Sequence, residues 1–350
     1  MTKLLGLVGS LAGLCGALLL GACVGSSSKT AQTTPQQPPP YYGPPGYPQQ
    51  PYPNGPAGPM YPPPAQQPQQ PQQPQPPAAR PLLAPLIGTP AMQQELRGVL
   101  SELINALPAQ KQALVRGIPL VFDPTPEVNA YAGCDEQGAP FLAATAGIFD
   151  AVDAIAQTKA TDELFGTRTY EAYTSAVLPE MSRNPSARAG LPAGIIPTNL
   201  GPDLRRWSRA HELFDEILAF TFGHELAHHY LGHTGCAKGQ SPSAGPDPAR
   251  LGRLLTNIPV FNQFAESAAD TEGAMNALDA GRARRPQYSW SEGGGVYLLT
   301  YFADIERLGG GGGPLSLLSP VQFLRTHPNP LARVPLVQTV ARTWHLQHPG

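Results

Sequence analysis

Apolar residues recur at helical spacing through residues 92–107, where Leu96, Val99, Leu100, Leu103, Ile104 and Leu107 make one stripe. This spacing predicts an amphipathic helix. Residues 118–122 form a short apolar run stopped by Asp123-Pro124, which predicts a strand. Residues 129–132 and 140–146 flank a turn-like stretch from Cys134 to Gly138, which predicts a hairpin. Helices are expected over residues 149–158 and 170–178, followed by a Pro/Gly-rich loop over 184–202. Asp203 is placed to cap a long helical stretch that runs to Leu231 and stops at Gly232. Further helices are expected over 258–281, over 295–308 and from Leu331, with a mobile glycine loop over 309–313. The expected fold class is α+β, mostly helical, with a small sheet near its start.

Upstream of this pattern the composition changes. No Asp, Glu, Lys or Arg occurs between Thr30 and Ala79, and 22 of the 43 prolines fall between Pro35 and Pro90. Such a chain lacks the branched apolar residues that offset conformational entropy, and it prefers extended polyproline II. Residues 23–90 are therefore read as a Pro/Gln/Gly/Tyr-rich disordered tether. Its proline-rich part, about 55 residues, could reach roughly 170 Å when fully extended. The folded domain is assigned to 91–350. From Arg80 onward the chain holds 25 acidic and 21 basic residues, a net charge of −4. That balance excludes a strongly basic nucleic-acid binder.

Residues 1–22 read as a secretory signal, with Lys3 before an uncharged Leu/Gly-rich run. Leu20-Gly21-Ala22-Cys23 resembles a bacterial lipobox, which implies that Cys23 becomes a lipidated N-terminus. A thioether-linked diacylglycerol with an N-acyl chain exceeds the two-chain threshold for stable anchoring. The expected location is the bacterial cell envelope, lipid-anchored and facing the periplasm. Cys15 leaves with the signal, so Cys134 and Cys236 remain, an even pair expected to form a disulfide in an oxidising compartment.

The long helix contains His224-Glu225-Leu226-Ala227-His228. Residues i and i+4 share a helix face, so both imidazoles can point at one ion. Ile217, Phe220, Thr221, Leu226 and Leu231 make the helix largely apolar, which gives it little reason to bury two histidines and a glutamate without a partner. A catalytic zinc needs a third protein ligand and an open position. Gly and His three and six residues past His228 would complete one known pattern, but Leu231 and Thr234 stand there, and the inverted H-x-x-E-H order is absent. That leaves a glutamate from a second helix. Glu266 is the best candidate, with Asp270 one turn on, placed to accept the second ring N–H of a ligand histidine. His229 and His233 are read as facing elsewhere and not as ligands.

These motifs resemble those of the gluzincin metallopeptidases that include HtpX and the CAAX prenyl endopeptidases. The resemblance rests on His224 to His228, with His233 beyond it. It rests also on Glu266 to Asp270 with Gly273-Ala274, on His327-Pro328 with Arg333, and on Asn129-Ala130-Tyr131-Ala132 with Gly138 and residues 141–147. It implies a gluzincin-like domain with its small sheet packed beside the H-E-x-x-H helix. It implies one Zn2+ held by His224, His228 and Glu266, with Glu225 as general base and His327 as a second catalytic residue, stabilising the oxyanion or closing over the metal. Residues 141–146 would form the cleft edge, where a polypeptide substrate adds as an extended strand; Arg333 is structural. Unlike those multi-pass members, this chain has no internal apolar span of that length, so it is similar to the soluble, exported lipoprotein-type members. The expected function is zinc-dependent endopeptidase action on unfolded or misassembled envelope proteins, by metal-activated water. The alternative is a non-catalytic zinc-containing chaperone or assembly-factor module.

Overall fold

A computed structural model describes residues 81–184, 186–240, 245–246, 262–284, 289–309 and 322–349. The expected signal, Cys23, the tether up to residue 80, residues 258–261 and the glycine loop beyond Gly309 lie outside the described residues. In chain order the elements are α1 (Thr89–Ala106), α2 (Ala109–Val115), β1 (Leu120–Asp123), β2 (Ala130–Cys134) and β3 (Pro140–Thr145). They continue with α3 (Ala146–Phe165), α4 (Thr169–Met181), α5 (Leu204–Tyr230), α6 (Gln263–Arg284), α7 (Gly293–Leu308), α8 (Gln322–Thr326) and α9 (Pro330–Gln347). The protein is mostly helical with a three-stranded sheet, in line with the α+β expectation. No helix among the described residues is long and apolar enough to cross a membrane.

Helix α5 organises the rest. Asp203 caps it as expected, its carboxylate accepting from the N–H groups of Arg205 (2.8 Å) and Arg206 (3.4 Å). Gly232 ends it with φ +79°, a left-handed turn that costs glycine little. Every residue from Leu213 to Tyr230 is buried, which marks a core helix surrounded on all sides. Its neighbours are α3, α6, α7, α1 and the strand β2. Helix α9 packs in turn on α6 and α7.

At the crossing of α5 and α6 two glycines meet. A Cβ on Gly223 would lie 2.9 Å from Gly273 O, and one on Gly273 would lie 2.6 Å from His224 N. The two backbones are thus in contact, which places α6 close enough for Glu266 to reach the histidines of α5.

The sheet order is β1-β3-β2, with β1 parallel and β2 antiparallel to β3. The hairpin from 129 to 146 forms as expected, closed by Gly138 N–H to Asp135 O at 2.9 Å. The expected cleft edge at 141–146 is corrected, however. β3 is the central strand, its two edges taken by β1 and β2, and the edge strand beside α5 is β2. Thr145 N–H donates to Asn129 O (3.2 Å). By alternation, the backbone groups of Ala130, Ala132 and Cys134 then point away from β3. Cys134, at the end of β2, is bonded to Cys236, beyond α5, so the disulfide ties the sheet to the chain leaving the central helix.

The packed chain also begins earlier than residue 91. Ala193 N–H donates to Pro81 O (2.8 Å), Leu83 N–H to Leu191 O (2.6 Å) and Leu86 N–H to the Asp153 carboxylate (3.0 Å). Leu86 is buried in the main core. The prolines at 81, 85 and 90 gave this strap the composition of the tether, although it is fixed to the domain.

Candidate metal centre

Several elements or their ends converge on one buried cluster. α5 brings His224, Glu225 and His228; α6 brings Glu266 and Asp270; the residue after α8 is His327; α9 brings Arg333. All seven side chains are buried, none with more than 3% of its surface exposed. His224, His228, Glu266 and His327 each offer a ligand atom within 4.8 Å of the others, and this group could hold a metal ion.

The contacts assign the atoms. His224 Nδ1 lies 3.0 Å from Asp270 Oδ1, so the ring N–H faces the carboxylate and the Nε2 lone pair faces the cluster. His224 Nε2 is 3.0 Å from His228 Nε2 and 3.6 Å from Glu266 Oε2, while Glu266 Oε1 is 3.3 Å from His228 Nε2. Only one proton fits between the two ring nitrogens, so lone pairs of nitrogen and oxygen crowd one point. A divalent cation there relieves that crowding at once, and two imidazoles with a carboxylate are a zinc-type donor set. The charge count agrees. Inside the protein, Glu225, Glu266 and Asp270 are offset by the guanidinium of Arg333 and the imidazole of His327.

Arg333 grips Asp270 with two bonds of 2.7 Å and reaches Glu266 Oε2 at 2.9 Å. Burial opposes ionisation of all three carboxylates, yet each is held below its ordinary value by surrounding cationic and imidazole groups, Asp270 at about 2. Burial pushes His228 down to about 4, which keeps the ring neutral as ligation requires. Burial would also lower His327, but the Glu266 and Glu225 carboxylates outweigh it and hold its pKa above the ordinary value.

Glu225 belongs to the cluster without being one of its four donors. Its Oε2 accepts from Ala132 N–H of β2 at 2.8 Å, and its Oε1 lies 3.3 Å from His327 Nε2. His327 is stacked on Phe323 at 4.4 Å between ring centres, and its Nδ1 is 2.7 Å from Thr326 Oγ1.

The sequence-predicted residues His224, Glu225, His228, Glu266, Asp270 and His327 are thus all brought together. One reading of the neighbouring histidines changes. His233 does not face elsewhere: its Nδ1 is 2.9 Å from His228 Nδ1, so it backs one of the four candidate donors. His229 is turned to the sheet as expected, with Nε2 3.0 Å from Phe141 O. Two residues join the site beyond those expected. They are Ala132, whose N–H holds Glu225, and Arg333, which the sequence marks only as structural. An arginine on the helix that follows His327 was the available signal for the second. For the first, the sequence offers the Asn129 to Ala132 motif but not the role of its N–H.

No protein-family model, curated protein or solved structure matches this chain.

Proposed function

We propose that the protein is a zinc-dependent endopeptidase of gluzincin type, anchored in the bacterial envelope by a lipid on Cys23 and facing the periplasm. The observation that carries this reading is the position of Glu225. It is a buried carboxylate beside a metal-type donor set, outside that set, and fixed by a backbone N–H on one oxygen. A structural metal site has no use for such a group.

His224, His228 and Glu266 would hold the zinc. When bound, it supplies Lewis acidity to a peptide carbonyl and to a water molecule. Glu225 accepts a proton from the attacking water and returns it to the leaving nitrogen as the C–N bond breaks. Ala132 N–H keeps one oxygen of Glu225 engaged, so the other is the one that moves protons. His327, whose Nε2 lies 3.3 Å from Glu225 Oε1, would donate from Nε2 to the developing oxyanion. An extended polypeptide would pair with the outward backbone groups of β2 that Glu225 leaves open, and main-chain bonding there favours unfolded over folded substrates. The proline-rich segment serves as a spacer from the membrane.

A second reading has one observation in its favour. His327 stands among the four donors, and all four are buried. A site closed by four protein ligands suits a non-catalytic zinc module that binds unfolded envelope proteins.

Glu225→Gln separates the two. Gln keeps the shape and the bond from Ala132 but cannot take the proton. Cleavage of an unfolded protein should fall by about 100- to 10,000-fold, with zinc content by mass spectrometry unchanged. Wild-type rates in the variant would end the proposed mechanism. Binding of unfolded protein by a wild type that cleaves nothing would establish the second reading.

A further inference from the structure

Helix α5 carries a second pair of donors one turn apart, His211 and Asp215, thirteen residues before His224 and His228. Glu95 of α1 faces them. One donor atom from each of the three lies within 4.8 Å of the others, and Glu95 Oε2 is 3.8 Å from His211 Nε2. The arrangement repeats the logic of the main site: two donors at i and i+4, and a carboxylate from a neighbouring helix.

Arg284 sorts the oxygens. Its Nη1 binds Asp215 Oδ2 at 2.7 Å and its Nη2 lies 4.0 Å from Glu95 Oε1. Glu102 holds the same guanidinium from the other side, accepting from Nε and Nη2, and Trp290 stacks against it at 4.4 Å. What remains for a ligand is Glu95 Oε2, His211 Nε2 and Asp215 Oδ1. Asp215 is only 5% exposed and no hydrogen-bond donor meets its Oδ1 among the described residues; its carboxyl lies beside that of Glu95, so the two must share either a proton or a cation. A buried carboxylate oxygen without a donor is costly unless a cation or proton meets it. The cluster lines a cavity of about 790 Å³ whose wall also carries Glu212 and Glu216, beside Arg209 and Arg284.

We propose that Glu95, His211 and Asp215 form a second divalent-metal site, selective for borderline ions such as zinc, nickel or cobalt. One imidazole and two carboxylates suit that class, whereas calcium requires six to eight oxygens and magnesium keeps to oxygen ligands. Thirteen helical residues separate the two sites by about 20 Å, too far for a shared-metal reaction. The second ion ties α1 to α5 and leaves its remaining coordination positions to water from the cavity.

The test uses the intact protein, stripped with chelator and titrated with zinc under native mass spectrometry. Wild type is expected to take two ions. His211→Ala and Glu95→Gln should each take one, and His228→Ala should also take one, because it keeps the site on α1 and α5. His211 and Glu95 are partly exposed, so their variants should fold. As a second measure, zinc should raise the Tm of His228→Ala but not that of the His211→Ala/His228→Ala double variant. A wild type that binds one ion, lost in His228→Ala and kept in His211→Ala, overturns this proposal and leaves the main site standing. One ion lost in His211→Ala and kept in His228→Ala would instead support it and remove the main-site reading.

Discussion

Asp153 on α3 is buried and accepts from Leu86 N–H and from Gln157 Nε2 at 2.7 Å, with Arg206 nearby. Burial still lifts its carboxyl from 3.8 to about 6, and Asp150 adds to this. A raised carboxyl pKa contributes stability that is complete below the unfolded value and fades as pH rises through the folded one. Asp153 therefore costs stability as the pH climbs through about 6. Asn at this position can accept the Leu86 bond without titrating. Urea unfolding of Asp153→Asn should show the variant gaining about 1–2 kcal/mol on wild type between pH 5 and pH 8. An unchanged difference at the two pH values would mean that Asp153 is already ionised at pH 5. At this scale the sequence was most legible where side chains carry their chemistry openly. His224, Glu225 and His228 identify themselves by spacing. Asp270 could be placed from Glu266 by one helical turn. Ala132 stands in the Asn129 to Ala132 motif, but its role was not legible, because it is that of a main-chain N–H, identical in every residue but proline.

Helices were readable from their period, their caps and their stops, as Asp203 and Gly232 show for α5. The short helices α2 and α8 were not anticipated, since seven and five residues hold too few turns to display a period. The strand order was hidden for another reason. β2 and β3 are small-residue strands buried on both faces, so neither shows the alternation that would mark an edge. The close approach of α5 and α6 rests on Gly223 against Gly273. This contact sets the reach of Glu266. A methyl group on residue 273 would sit 2.6 Å from His224 N, against backbone that cannot swing aside. Gly273→Ala should force α5 and α6 apart, at a cost of about 1–3 kcal/mol in unfolding free energy. Zinc affinity should fall with it, while Ala274→Gly, one residue away, should leave the metal in place. Full zinc affinity in Gly273→Ala would show that the ligand geometry does not depend on this crossing.

At the scale of the whole molecule, composition drew the border between spacer and domain about ten residues too late. Proline-rich sequence reads as unstructured because it cannot build helix or inner strand, yet it can be held in place by a surface already folded. Residues 81–86 are such a strap. They form no element of their own beyond one bridge, Leu82 to Pro192, and they close over the loop between α4 and α5. Their anchors are main-chain bonds to Leu191, Ala193 and the Asp153 carboxylate, together with the buried side chain of Leu86. Removing them would expose apolar surface on the core and leave Asp153 without one of its donors. Three hydrogen bonds at about 1 kcal/mol each and one leucine side chain suggest a loss of about 3–5 kcal/mol for a protein that begins at residue 91, compared with one that begins at residue 81. Urea unfolding of the two forms, at equal slope, reads this directly as a shift in midpoint. The strap's anchors lie on α3 and the loop before α5, whereas the metal cluster is built from α5, α6, α9 and the residue after α8. Zinc content of the shorter form in the absence of urea should therefore equal that of the longer one. Equal midpoints would return residues 81–90 to the tether and restore the boundary that composition alone suggests.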